Sequence, residues 1–183
     1  MMSNMEEKQL TPMERFRKER ERRGKENFDL YIAQLNHPHL TYRIKAAEAL
    51  GNFGDLRAVK HLEQTLNPEN EPEYLFIAIN SLGNLGNPGS VPLLVPFLKN
   101  DDKWLRLGAV RALGMIGDDR AALPVIPLLQ DKKVDVRKSA VESLGRMEYI
   151  EAMDFISPLL SDDDYTVREI ARSTLSGLEK ANS

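Results

Sequence analysis

Residues 105–118 read LRLGAVRALGMIGD, and the pattern returns after 31 residues as VRKSAVESLGRMEY (136–149) and again as VREIARSTLSGLEK (167–180). Upstream, YLFIAINSLGNLGN (74–87) keeps the same spacing, and YRIKAAEALGNFGD (42–55) joins with one extra residue. Each stretch opens on a hydrophobe, four of the five follow it with Arg, and small or apolar residues recur at helical spacing up to a Leu-Gly that becomes Leu-Ser in the last. Self-similarity at a fixed period of this size marks a stack of repeats rather than one central core.

Between the signatures run SVPLLVPFLKN, AALPVIPLLQD and AMDFISPLLSD, with Val91/Leu94/Leu98, Ala122/Val125/Leu129 and Met153/Ile156/Leu160 at helical spacing. Each unit is therefore read as a helical hairpin. Neither helix can bury its apolar stripe alone, so stability must come from stacking pair on pair. The expected fold is an all-α solenoid of about five hairpins, units 25–54, 55–86, 87–117, 118–148 and 149–183, behind a charged N-terminal arm over 1–24. Gly54, Gly86 and Gly117 end helices where a left-handed residue is cheap, and Asp55, Asn87 and Asp118 stand ready to cap the next ones. Glu148 replaces that glycine in the fourth unit, which predicts a different turn there. Pro96, Pro127 and Pro158 share one slot inside the first helices and predict a repeated kink.

Composition agrees with helices. Apolar residues make up 42%, charged residues 29% and aromatics only 7%, a balance that favours α over β structure. The chain has no cysteine, which excludes thiolate zinc sites, iron–sulfur clusters, disulfides and thiol nucleophiles. The start has no apolar run behind positive charge, and no stretch nears the ~20 apolar residues that span a bilayer, so a cytoplasmic protein is expected.

The arm carries its own signals. Thr11-Pro12-Met13-Glu14 is a capping box with proline at the first helical position, opening a helix expected over 12–23. After Gly24, the amphipathic set Phe28, Tyr31, Ile32 and Leu35 starts the first repeat. Residues 1–26 hold eight Lys/Arg against six Asp/Glu, and the rest of the chain 17 against 22. Arg15, Arg17, Arg20, Arg22 and Arg23, with Lys18, offer phosphate contacts and make nucleic-acid binding through the arm one alternative. Interleaved Glu14, Glu19 and Glu21 favour an ion-paired, solvated helix instead.

The pattern V-R-x-x-A-x-x-x-L-G-x-x-G-D resembles the short HEAT repeats shared with the phycobilin lyase family, over residues 25–180. The resemblance implies second helices lining a concave face. It also implies that Arg43, Arg106, Arg137 and Arg168 form a structural ladder with acidic turn residues, drawn from Asp102, Asp131, Asp162 and Asp164, which Leu75 interrupts. Such repeats resemble those of scaffolds, assembly chaperones and adaptors, so a bilin lyase-like or chaperone-like subunit acting on a chromophore protein is a further alternative.

With Val136, Ala140 and Leu144 facing the core, positions 135, 138, 142 and 146 fall on the opposite stripe of the helix. In the first three units that register reads Thr41, Ile44, Glu48 and Asn52, then Glu73, Phe76, Asn80 and Asn84, then Trp104, Leu107, Arg111 and Met115. In the last two it reads Asp135, Lys138, Glu142 and Arg146, then Thr166, Glu169, Ser173 and Gly177. Ile44, Phe76, Asn80, Trp104, Leu107, Arg111 and Met115 are thus the candidate partner-binding residues, since exposed apolar stripes with Trp, Phe and Arg mark protein interfaces. Another polypeptide, or a second copy of the chain, is the expected partner.

Catalysis has little support. His37 and His39 flank Pro38 in a turn, His61 stands alone, and no His–Glu pair has metal-ligand spacing. The repeated glycines are punctuation rather than a phosphate loop. Asp162, Asp163 and Asp164 lack the spacing and glycine of a calcium loop. The expected protein is a non-catalytic interaction scaffold with no cofactor and no metal.

Overall fold

The repeating hairpins are present in the computed structural model of the chain, which describes residues 11–182; the side chains at positions 12, 15–17, 19–23 and 25–26 lie outside that description. Ten α-helices and no β-strand occur among the described residues. They are α1 (Pro12–Gln34), α2 (Leu40–Phe53), α3 (Val59–Glu63), α4 (Pro72–Leu85), α5 (Val91–Leu94), α6 (Lys103–Ile116), α7 (Ala122–Val125), α8 (Val134–Arg146), α9 (Met153–Ile156) and α10 (Tyr165–Ala181). The long second helices α2, α4, α6, α8 and α10 pack each on the next, and the short first helices flank them.

The Leu-Gly of the signature sets the spacing of that stack. A Cβ on Gly83 would lie 2.7 Å from the Ala112 Cα, and one on Gly114 would lie 2.8 Å from the Ser143 Cα. Only a residue without a side chain lets these helices approach so closely. Ser143 adds a hydrogen bond across the junction, its hydroxyl donating to the Val110 carbonyl at 2.7 Å. The preceding leucines, Leu50, Leu82, Leu113 and Leu144, are wholly buried beside them. Stacking therefore removes from water the stripes that isolated hairpins would expose. On α10 the buried residues are Val167, Ala171, Leu175 and Leu178, while Glu169, Arg172, Ser173, Ser176 and Lys180 face water.

The prolines act on the first helices as their spacing implies. α5, α7 and α9 each run one turn and tighten into 3-10 helix over Val95–Lys99, Ile126–Gln130 and Ser157–Ser161, with Pro96, Pro127 and Pro158 at the second position of each tightened segment. Gln64 holds that slot in the second unit, and no 3-10 segment follows α3. Proline lacks the N–H that would continue the α-ladder, so the change of helix type tracks it unit by unit.

One detail departs from the sequence reading, and a second does so in part. The N-terminal helix does not break at Gly24: α1 is continuous from Pro12 to Gln34. A glycine inside a helix costs only about 1 kcal/mol, which a long helix closed by the Thr11 capping box and docked through buried Phe28 and Leu35 absorbs. The fourth-unit turn, expected to differ, does so in its bonding, with the Tyr149 amide donating to the Leu144 carbonyl at 3.3 Å and no side-chain cap, yet it keeps a positive φ, 51° at Glu148 against 71° at Gly117. The stack fixes the path, and the non-glycine residue takes the strain. Asp55, Asn87 and Asp118 accept from the amides of Arg57, Gly89 and Arg120 at 2.9, 2.7 and 3.0 Å.

Candidate functional site

Ile44 on α2, Phe76 on α4 and Trp104 on α6 occupy equivalent or adjacent slots of three successive second helices, and the stack brings them together. With Pro72, Glu73, Ile77 and Asp102 they line an apolar depression of about 280 Å³. Phe76 and Trp104 meet edge to face with ring centroids 6.4 Å apart. Phe76 lies across Gly108, where a Cβ would come within 3.0 Å of its ring, so the missing side chain makes room for it. Trp104 stays 51% exposed. Its backbone N–H donates to the Asp102 carboxylate at 2.7 Å at the start of α6, and the Lys103 ammonium sits 4.5 Å from its ring centroid. A large aromatic at a helix start is thus left half open to water.

The remaining candidates are distributed differently. Asn80 donates from its side-chain amide to the Phe76 carbonyl at 2.8 Å, one turn back on the same helix. Arg111 is exposed and donates from Nε to the Ser139 hydroxyl at 3.2 Å, which steers it toward the fourth unit. Met115 is 42% exposed but lies eleven residues beyond Trp104, about 16 Å along the helix, and takes no part in the depression. Leu107 is a correction: only 4% of it is accessible, so it belongs to the core and not to the groove. It packs in the hydrophobic core with its neighbours. The equivalent slots in the last units hold Lys138, partly buried, and Glu169, exposed.

The arginines at the second signature position turn sideways along the edge of the stack. Arg106 forks onto Asp131 of the next unit, with Nε to Oδ2 at 2.7 Å and Nη2 to Oδ1 at 3.1 Å, and donates from Nη1 to the carbonyls of Asn100 and Asp101. Arg137 repeats this with Asp162 at 2.8 and 2.7 Å and with the Asp131 carbonyl at 2.9 Å. Arg168 donates to the carbonyls of Asp162 and Asp163 and lies 5.7 Å from the centroid of the Tyr165 ring. Arg43 pairs with Glu71 at 2.6 Å, a partner outside the acids the sequence suggested, while its buried Nε finds no hydrogen bond. Asp102 and Asp164, the other two acids considered, cap α6 and α10. Burial pushes the Asp131 carboxyl up, but the Arg106 fork and the Lys133 amide outweigh it and hold the group below the usual carboxylate range. The Arg137 fork does the same for Asp162.

The dense acidic turn 162–164 is thus occupied by the Arg137 pair and by capping. Among the described residues no cluster of three His, Cys, Asp or Glu side chains is arranged to hold a metal ion. His37 Nδ1 accepts from the His39 amide at 3.0 Å, and both rings stand beside Tyr42. The side chains of Arg15, Arg17, Arg20, Arg22 and Arg23 lie outside the described residues. No helix among the described residues is long and apolar enough to cross a membrane.

The edge lacks one rung. The signature slot in the second unit holds Leu75, and the slot 31 residues before Asp131 holds Asn100, so both members of one rung are missing there. The replacement at Leu75 was visible; that it opens a cavity was not, because a void depends on how closely the flanking turns approach.

Comparison with known proteins fits this geometry. Residues 68–126 and 105–176, together more than half of the chain, match the family model of HEAT repeats, and residues 42–67 match the PBS lyase HEAT-like repeat. No curated protein sequence matches the chain. Among solved structures, the complex of CpcE and CpcF of phycocyanin lyase from Nostoc sp. PCC7120 is similar at 26% identity and a TM-score of 0.74, over 84% of this chain and 65% of that one. The chain thus spans just under two thirds of the length of that relative. A designed armadillo repeat protein in complex with the peptide (KR)4 shares the fold at 18% identity and a TM-score of 0.65, over 81% and 80% of the two chains. The Escherichia coli protein YibA does so at 21% and 0.67, over 92% and 66%.

Proposed function

The chain belongs to the HEAT-repeat family, and from that premise we propose that it is a non-catalytic interaction scaffold that grips a partner polypeptide on the second-helix face of its first three units. The observation that carries this reading is the depression of Ile44, Phe76 and Trp104, an apolar aromatic surface shared by three successive second helices and half open to water at Trp104. Binding energy at protein interfaces concentrates in such anchors, and the surrounding polar residues exclude water from them. In the last two units the same face carries Asp135, Lys138, Glu142, Arg146 and Glu169, which suits solubility better than capture. The relative from Nostoc, itself a complex of two proteins, supports a protein partner.

The test is affinity purification of the full chain with quantitative mass spectrometry, comparing the natural sequence with Trp104→Ala and Phe76→Ala. Each substitution is expected to weaken the specific partner by about 2 kcal/mol or more, with the thermal midpoint preserved for Trp104→Ala. Unchanged recovery with both folded variants defeats the reading. A lyase-like role on a bilin is the second reading, favoured by the PBS lyase HEAT-like match over 42–67 and by the phycocyanin lyase relative. Titration with a free bilin, followed by its visible absorbance and by quenching of the single tryptophan, separates the two.

A further inference from the structure

The edge of the solenoid is closed by one device at two successive junctions and open at the one before. At the closed junctions the guanidinium of Arg106 or Arg137 fills the space between neighbouring turns, satisfied by a carboxylate ahead and carbonyls behind. One unit earlier, Leu75 is too short to cross and Asn100 carries no charge to meet it. Asn100 keeps only the capping part of the role, its side-chain oxygen accepting from the Asp102 amide at 2.9 Å as Asp131 accepts from Lys133 at 2.8 Å. The result is a cavity of about 520 Å³, within the size range of ligand pockets. Leu66, Leu75, Leu93, Phe97 and Leu105 give it apolar walls, and Glu63, Asn70, Asn100 and Asp102 give it polar ones. Pro72 and Asp102 also border the Trp104 depression, so the two hollows adjoin.

We propose that this vacant rung seats an arginine side chain of the partner, while an apolar residue of the same segment enters the depression at Trp104. The inference rests on the scaffold reading and names the chemistry of what is bound. The partner's alkyl stem would lie along Leu66, Leu75 and Leu105, and its guanidinium would reach the carboxylates of Asp102 and Glu63 and the turn backbone, as Arg106 does one unit on. Charge selects the sign of the guest. The turns flanking the gap carry Glu69, Glu71, Glu73, Asp101 and Asp102, and Glu63 stands on its wall. Of the nearby cations, Arg43 is already paired with Glu71, Arg106 with Asp131, and Lys103 lies over Trp104. Lys99 is exposed beside Asn100 but does not line the cavity, whose only charged described lining residues are Glu63 and Asp102. Arginine fits better than lysine, because its planar fork can meet a carboxylate and backbone carbonyls together.

Displayed random peptides selected on the full chain at low salt provide the probe, with affinities read from Trp104 fluorescence. The expected winners place arginine close to an aromatic or aliphatic residue. Replacing that arginine by norleucine in a synthetic winner should weaken binding by roughly tenfold or more, as should raising the salt. In the protein, Leu75→Arg with Asn100→Asp rebuilds the missing rung and closes the gap. It should lose affinity to the same extent while circular dichroism shows an intact helical fold. If that variant does not fold, the norleucine peptides decide the matter on the natural sequence. Winners without a cation, no winners at all, or equal binding by norleucine peptides or by the folded double variant would overturn the proposal. Should Trp104→Ala abolish binding while the rebuilt rung leaves it intact, the vacant rung fails and the groove reading stands. If neither change matters, both fail.

Discussion

The junction between the second and third units and the junction between the third and fourth are built from the same repeat, yet one is open at its edge and the other is sealed. The helices are not farther apart at the open one, since an added Cβ would meet the next helix at 2.7 Å from Gly83 and at 2.8 Å from Gly114. The edges differ in the rung, Leu75 with Asn100 against Arg106 with Asp131, and in the second unit's turn, which lacks the 3-10 segment and contributes Pro68, Asn70 and Pro72 to the open side. A solenoid can thus hold its stacking constant in one layer and vary its surface in another, which lets a repeat scaffold acquire a binding site without losing its fold.

Breaking the sealed junction should have the largest effect. The side chains of Arg106 and Asp131 are only 8% and 9% exposed, so Arg106→Ala leaves a largely buried carboxylate with the Lys133 amide but no facing cation. It should cost about 3–5 kcal/mol in urea unfolding, and a loss below about 1 kcal/mol would mean that the rung is not structural. Crowding the stack comes next. Gly83→Ala and Gly114→Ala should each cost about 1–3 kcal/mol, and similar values at the two sites would confirm that helix spacing is the same at the open and sealed edges. A smaller effect of opposite sign is expected at the fourth-unit turn, where Glu148→Gly relieves a left-handed non-glycine residue and should raise stability by about 1 kcal/mol in thermal unfolding.

Acid offers the gentlest way to compare the junctions. Asp131 and Asp162 have depressed carboxyl values in the folded chain, so their stabilisation is complete above the unfolded value near 3.9 and is lost as pH falls through the folded value beneath it. Stability should vary little with these groups between about pH 7 and 5 and fall below about pH 4. Asp162→Asn should lower the plateau and flatten the acid limb, whereas Asn100→Asp, with no arginine to face, should not steepen it.

Much of the fold was legible in the chain because repetition amplifies weak signals. The 31-residue spacing, the helix-ending Gly54, Gly86 and Gly117, the capping Asp55 and Asp118 and the proline slot each report a local backbone preference, and several copies of each made the register firm. The continuous α1 was not legible, since Gly24 is a poor helix residue that a long docked helix tolerates. At the site, the wheel that placed Ile44, Phe76 and Trp104 on one stripe also placed Leu107 there, because angular position about one helix does not reveal how near the next helix stands.

The arginine ladder and its interruption at Leu75 were implied by the resemblance to HEAT repeats, whereas the sequence by itself determined the class, the period and the core leucines. Those properties follow from backbone propensity and from apolar spacing along one segment. Only the tertiary structure decided that Leu107 is sealed, that Trp104 stays half exposed against Phe76, that Arg106 meets Asp131, and that the lost rung leaves a cavity. Each of these depends on distances between segments about thirty residues apart, which the close approach at the stacking glycines sets and no single helix encodes.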